Sequence, residues 1–422
     1  MRILWLKTEL LHPVDKGGKI RTYNMLKELK REHHVTYLTL DDGSASAEER
    51  KRSSEYCHDL ICIPHRRREK FTPGFYFELL LNLVEPRPYA IKKYESAAML
   101  REIVELERRG SFDLLVCDFL APAANVPRSL ATPSILFQHN VEAMIWKRHY
   151  EIQTNSIKKA YLYSQWQKMR RFEKEMCRDF DCVIGVSAAD REQMKREYGA
   201  QAVFDVPTGV DTDFFQPRGG VQPSAHSIIF TGSMDWLPNE DAIKYFMREI
   251  MPLIKKKVPD AALTVVGRNP PPALVELSKE DPSLTITGRV EDVRPYIEES
   301  AAYIVPLRIG GGTRLKIFEA MAMEKAVVST TVGAEGLPVS NGVDLLVADE
   351  PAAFADAVIT LLTNNSYAVQ LGQRAASIVR QNHGWRQVTE SFVSICTNNG
   401  HRENHPQITQ RGLGRNQNNS VV

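Results

Sequence analysis

The sequence is short of the features that most quickly identify a chain. Of its 422 residues only six are cysteine, at positions 57, 62, 117, 177, 182 and 396, and no two form a CxxC pair. Zinc-ligand spacing is therefore missing. Thiols scattered through so long a chain argue against a disulfide framework and for a reducing, cytoplasmic setting. No run of about 18 uncharged apolar residues occurs, which excludes a bilayer-spanning helix. The opening MRILWLKTELLHP is broken by Lys7 and Glu9 and reads as a buried strand rather than a secretory signal. Charge of one sign is lacking too: 54 Lys+Arg offset 52 Asp+Glu, leaving +2. That balance argues against nucleic acid as a partner. No GxGxxG follows the first strand, and no GxxxxGK[ST] occurs anywhere, so neither a dinucleotide fingerprint nor a P-loop is present.

What is present is ordinary soluble-protein composition, 43% hydrophobic and 25% charged, enough for two or three domains at about 150 residues each. Short apolar runs recur at 2–6, 34–40, 59–64, 113–117, 134–137 and 182–186. A second series recurs at 227–231, 262–266, 284–287, 302–306, 326–329 and 344–347. Runs of this kind suit strands buried on both faces. Helical patterns lie between many of them, for example at 18–31, 240–257, 293–299, 354–363 and 367–381. The alternation predicts α/β architecture with parallel sheets, doubly wound, in two domains. The Gly- and Pro-rich stretch 207–225 marks the seam, giving domains at 1–207 and 208–382, and the polar stretch 397–422 reads as a disordered tail.

Two segments depart from this plan. HRRREK at 65–70 precedes FTPGFYFELLL, and basic residues beside such an aromatic run suit either a membrane surface or a loop leading into a core helix. Residues 152–180 read as one long charged helix whose Trp166, Met169, Phe172 and Met176 form a buried face.

The stretch most suggestive of chemistry is VPLRIGGGTRLKIFEAMA at 305–322. A strand ends, three glycines (Gly310, Gly311, Gly312) follow, and a helix is expected to begin near Thr313. Glycines admit close backbone approach, and a helix N-terminus offers free N–H groups to a phosphate. Arg314 and Lys316 add positive charge at that mouth. Glu319 stands among apolar neighbours, as a carboxylate does when it faces something specific such as sugar hydroxyls.

Taken with GGK at 17–19, FQHNVE at 137–142, VIGVSAAD at 183–190, PTGVDTDFF at 207–215, FTGSMDWLPNEDAI at 230–243, VVGR at 265–268, GRVEDVRPY at 288–296 and TTVGAEGL at 330–337, this stretch resembles the group 1, or family 4, retaining glycosyltransferases. Among them it is most similar to bacterial transferases of exopolysaccharide assembly. The resemblance implies the GT-B fold, two Rossmann-like domains facing across a cleft, with a C-terminal helix at about 383–396, including Trp385, packed back on the first domain. It implies transfer of a sugar from a nucleotide-diphosphate donor to a saccharide or lipid-linked acceptor, without a metal or other cofactor.

The resemblance also assigns roles. Gly17 and Gly18 would let the backbone approach the donor diphosphate, and His139 would sit beside the transferred sugar. Val290 would present backbone groups to the base and Glu319 would bind the ribose. The loop from Gly310 to Arg314 would hold the diphosphate, with Gly232, Ser233, Asn239 and Arg268 completing the donor site. Two departures stand out. The family's first glutamate falls at Gly311, and its Arg and Lys fall at Ser233 and Asn239. Arg314 and Lys316 are expected to neutralise the leaving group instead. Asp211-Thr212-Asp213 spells DxD, a possible metal signature, but stands where the family has a turn. The alternatives left open are a 2-epimerase of the same fold and a non-catalytic, membrane-associated assembly subunit.

Overall fold

A computed structural model describes residues 1–14, 17–69, 71–309 and 314–400. The polar stretch beyond 400 and the glycine run Gly310, Gly311, Gly312 with Thr313 lie outside the described residues.

The first sheet comprises β1 (Arg2–Lys7), β2 (His34–Asp41), β3 (Asp59–Pro64), β4 (Leu114–Asp118), β5 (Ser134–Phe137), β6 (Cys182–Gly185) and β7 (Val203–Asp205), in the order 3-2-1-4-5-6-7 and parallel throughout. Alternate side chains feed two cores. Leu4, Leu6, Leu38, Leu115 and Leu136 face one side of the sheet, while Ile3, Trp5, Tyr37, Val116 and Phe137 face the other. Both sides are apolar because crossover helices cover both, as parallel connections require.

The second sheet contains β8 (Ser227–Thr231), β9 (Ala262–Val266), β10 (Leu284–Gly288), β11 (Ala302–Val305), β12 (Val327–Ser329) and β13 (Leu346–Val347), in the order 10-9-8-11-12-13, again parallel. In each sheet the order reverses beside the first strand, between β1 and β4 and between β8 and β11. Such a reversal opens a crevice at the carboxyl ends of the strands, where α/β proteins bind ligands.

The chain passes between the halves twice, and the two passes touch. The Val210 N–H donates to the His383 carbonyl at 2.8 Å, and Val210 bridges Gly384. Helix Trp385–Gly400 then returns to the first domain, burying Trp385, Val388, Phe392 and Cys396 beside Trp5 and Phe137. Gly209 leaves room for this return, since a Cβ there would stand 2.7 Å from the Trp385 ring.

The long charged helix expected over 152–180 is present as Ser156–Asp179, capped by Asn155, whose side chain accepts the Lys158 N–H at 3.0 Å, and it buries Met169, Phe172 and Met176 with Trp166 packed beside them. Two sequence expectations change. β7 is a strand the sequence reading lacked, too short and too polar at Asp205 to stand out. The helix at 305–322 begins at Leu315, with Arg314 at its cap.

Candidate active site

Two clusters stand at the carboxyl edges of the sheets. In the first domain the centre is Asp118, the last residue of β4 and fully buried. One carboxylate oxygen accepts from Trp5 Nε1 at 3.0 Å, Lys7 Nζ at 2.8 Å and Thr22 Oγ1 at 2.5 Å, and the other meets His139 Nε2 at 2.7 Å. A carboxylate accepts only, so His139 carries its proton on Nε2, which leaves Nδ1 an acceptor. Burial lowers the His139 pKa to about 4 against the pull of Asp118, so the ring is neutral near pH 7. Burial opposes the charge on Asp118, but Lys7 and His139 together hold its carboxyl well below the usual range.

Phe119 completes the cluster. Its ring stacks on His139 at 3.8 Å between centroids and lies under the Lys7 ammonium at 4.2 Å. To hold this place its backbone adopts φ +73°, a left-handed conformation costing about 1–2 kcal/mol in a non-glycine residue. Gly18 is explained by the same ring: a Cβ there would come within 2.7 Å of it, whereas nothing lies within 4 Å of a Cβ at Gly17. Gly18 thus has a packing reason to be glycine, and Gly17 borders open space.

In the second domain several of the residues expected to bind the donor come together. Gly232 and Ser233 follow β8, and Arg268 follows β9. The Arg268 Nε donates to Ser233 Oγ at 2.9 Å, and Ser233 Oγ donates to Asp235 at 2.5 Å. Val290 follows β10 and is half-buried against the core. On the helix Leu315–Ala322, Lys316 donates from Nζ to Asn239 Oδ1 at 3.0 Å, and its ammonium lies 4.0 Å above the Phe230 ring. The Asn239 amide in turn donates to the Ser233 carbonyl at 2.8 Å. Position 239, where the family resemblance expected a lysine, is therefore reached by the ammonium of Lys316.

Gly232 makes this approach possible, because a Cβ there would lie 2.6 Å from Lys316 Nζ. Gly267, which the sequence reading passed over, is needed equally: a Cβ would stand 1.7 Å from the Gly232 carbonyl oxygen.

Burial, with help from Arg314, pulls the Lys316 ammonium down to about 7, and burial pushes the Glu319 carboxyl up to about 7 against the pull of Lys316. Glu319 is one turn on from Lys316 and shares its face. Arg314 is buried, with its guanidinium 5.3 Å from the Trp236 ring centre. Burial lowers its pKa, Glu335 raises it and Arg148 of the first domain lowers it.

Asp211 accepts the Phe214 N–H at 2.9 Å, which makes DTDFF a turn. Among the described residues no group of three His, Cys, Asp or Glu could hold a metal. A polar pocket of about 320 Å³ opens at the carboxyl ends of β1, β2 and β3, lined by Glu9, Lys19, Asp42, Glu49, His65 and Arg67 among others.

Asp118, Lys7, Thr22 and Phe119 escaped the sequence reading. The available signal was a charged residue ending an otherwise apolar strand, at both RILWLK and DLLVCD.

This architecture can be set beside known proteins. Residues 16–214 match the family described as Glycosyltransferase Family 4, and residues 225–364 match Glycosyl transferases group 1. The chain belongs to the group 1, family 4 glycosyltransferases. This glycosyltransferase has the GT-B fold. Solved structures that share it include a sucrose-phosphate synthase from Thermosynechococcus elongatus (TM-score 0.68, 15% identity, 94% of this chain and 98% of that one). A variant of S. aureus TarM, in complex with Fondaparinux, alpha-GlcNAc-glycerol and UDP, gives 0.67 and 11%, covering 95% and 99%. Anabaena HepE with UDP and glucose gives 0.62 and 13%, covering 94% and 99%. A Klebsiella pneumoniae protein described as an uncharacterized 44.6 kDa protein in cps region is 21% identical over 400 residues, 93% of this chain and 98% of its own.

Proposed function

We propose that this glycosyltransferase moves a sugar from a nucleoside-diphosphate donor to a saccharide hydroxyl with retention of anomeric configuration, in polysaccharide assembly. The observation that carries the reading is Lys316. Its buried ammonium is held by a neutral amide at the carboxyl edge of the second sheet, where an anion would take up its charge. A donor diphosphate supplies that anion, and UDP sugars are the first to test, since HepE and TarM structures contain UDP. The cps-region relative supports the polysaccharide setting.

The leaving diphosphate gains negative charge as the anomeric carbon becomes oxocarbenium-like, and Lys316 with Arg314 would stabilise it in a site that excludes water. Glu319 would hold the ribose hydroxyls, with Gly232, Ser233, Asn239, Arg268 and Val290 around the rest of the nucleotide. The run from Gly310 to Thr313 would add backbone N–H groups. His139 would accept a hydroxyl of the transferred sugar at Nδ1. The acceptor hydroxyl would attack from the leaving-group face, the departing phosphate taking its proton, so no protein base and no metal is assigned. The polar pocket beside β1–β3 would receive the acceptor sugar, its carboxylates accepting from hydroxyls.

The test is a thermal-shift panel of nucleotide sugars, followed by turnover with the stabilising donor and NMR of the product linkage. A stabilising donor and an α-linked product from an α-linked donor are expected, with turnover unchanged by excess chelator. Inverted linkage, dependence on a divalent cation, or release of an epimerised sugar without transfer would each overturn the reading. So would unchanged turnover in both Lys316→Ala and Arg314→Ala.

A further inference from the structure

The helix Pro73–Asn82 is amphipathic in the wrong sense for a packed helix. Its polar side chains face the protein: Glu78 accepts from the Tyr89 hydroxyl at 2.9 Å and from Arg68 at 3.2 Å, and Asn82, 2% exposed, exchanges hydrogen bonds with Gln165 and the Arg87 carbonyl, both at 2.9 Å. Most of its apolar side chains face out, Phe75 and Leu79 being half-buried. Tyr76, Phe77, Leu80, Leu81 and Val84 recur at three- and four-residue spacing, with Phe77 60%, Leu80 62% and Val84 88% exposed. The polar side is satisfied by hydrogen bonds, so the helix cannot roll over to bury its apolar stripe without orphaning them.

A continuous apolar stripe of this kind marks a contact surface. Its surroundings say what kind. The neighbouring helix Ser156–Asp179 lies alongside, through Gln165 and through Lys168, whose ammonium donates to the Leu83 carbonyl at 3.1 Å. That helix begins with Ile157, 83% exposed, and an exposed Lys158. Arg66 is exposed on the segment leading into the stripe. A second copy of the chain meeting this surface about a two-fold axis would set the same cations against themselves. An anionic lipid surface would pair with them while its acyl boundary takes up Phe77 and Leu80.

We propose that this face docks on an anionic bilayer. His65 and Arg67, from the segment that leads into the helix, line the polar pocket assigned above to the acceptor. An acceptor anchored in the bilayer would therefore present its sugar beside its own anchor. That last link rests on the acceptor reading; the docking surface does not.

The test is co-sedimentation of the full chain with phosphatidylglycerol vesicles and with phosphatidylcholine vesicles, without donor or acceptor, beside sedimentation velocity of the free protein. Binding to phosphatidylglycerol that weakens with salt is expected. The Phe77→Ser/Leu80→Ser variant should lose it at an unchanged melting temperature, because both side chains are already in water. Arg66→Glu/Lys158→Glu should weaken it by about fivefold or more for each cation. Failure to bind phosphatidylglycerol at low salt, equal binding to phosphatidylcholine, or a dimer that Phe77→Ser/Leu80→Ser dissolves would overturn the proposal. None of these outcomes depends on turnover, so they separate this surface from the transfer reaction.

Discussion

Two lysines reach the carboxyl edges of the two sheets, and each lies over an aromatic ring, Lys7 over Phe119 at 4.2 Å and Lys316 over Phe230 at 4.0 Å. Burial lowers the pKa of both. They differ in the partner. Lys7 donates to a carboxylate at 2.8 Å, and that carboxylate also fixes His139. Lys316 donates to an amide at 3.0 Å. The first cation is neutralised inside the protein and serves to hold shape. The second is held at an amide with Glu319 near it, and burial disfavours its ammonium, so an arriving anion would favour the charged form. The same fold thus supplies a rigid wall on one side and a charge-seeking wall on the other.

The comparison breaks most easily at Asp118. Asp118→Ala leaves Lys7 buried without its counter-charge and frees the His139 ring. A loss of about 3–5 kcal/mol in stability is expected, read by denaturant unfolding of the first domain. A melting curve like that of the wild type would show that the cluster does not hold shape.

On the other side, Lys316→Ala should lower turnover by about 10²–10³ at an unchanged or raised melting temperature, because it removes a desolvated ammonium whose hydrogen bond goes to an amide rather than to a carboxylate. A fall in stability comparable to that of Asp118→Ala would erase the contrast.

Gly267→Ala drives a methyl into the Gly232 carbonyl, which backbone movement alone can relieve. A loss of about 1–3 kcal/mol is expected, with weaker donor binding as Gly232 shifts away from Lys316. Calorimetry of donor binding and thermal unfolding would read the two effects together.

The smallest effect concerns pH. Lys316, with a pKa of about 7, attracts a diphosphate only as the ammonium. Its deprotonation weakens donor binding as pH rises through about 7. Donor affinity in the free enzyme should fall across that range, and Lys316→Arg should shrink the inflection because guanidinium stays charged. His139, at about 4, contributes no inflection there. A flat profile in the wild type would place Lys316 away from the donor.

Much of this was legible along the chain. β8 and β11, the glycine at 232 and the Arg314–Glu319 stretch are local features, with strand, turn and helix signals a few residues apart. The first-domain cluster was not, because Lys7 and Asp118 are 111 residues apart in sequence and become neighbours only when β4 pairs with β1. Glu173 shows the same limit. In sequence it is one charge on a charged helix. In the fold it is fully buried and accepts the Glu142 and Ala143 N–H groups at 2.8 and 2.9 Å, capping the helix that follows His139. The inverted helix Pro73–Asn82 was half legible: its apolar run was plain, but which side faces water depends on Glu78 and Asn82 finding partners elsewhere.

The sequence by itself determined the period-two apolar runs, the alternation of strand and helix, and hence two parallel sheets with crossovers on both sides, since those are short-range consequences of side-chain periodicity. Tertiary structure alone decided that Lys316 occupies the place expected of residue 239. An ammonium on a flexible stem can reach any position its helix brings near, and only the packing of that helix, which sets Lys316 over Phe230 of β8, selects Asn239.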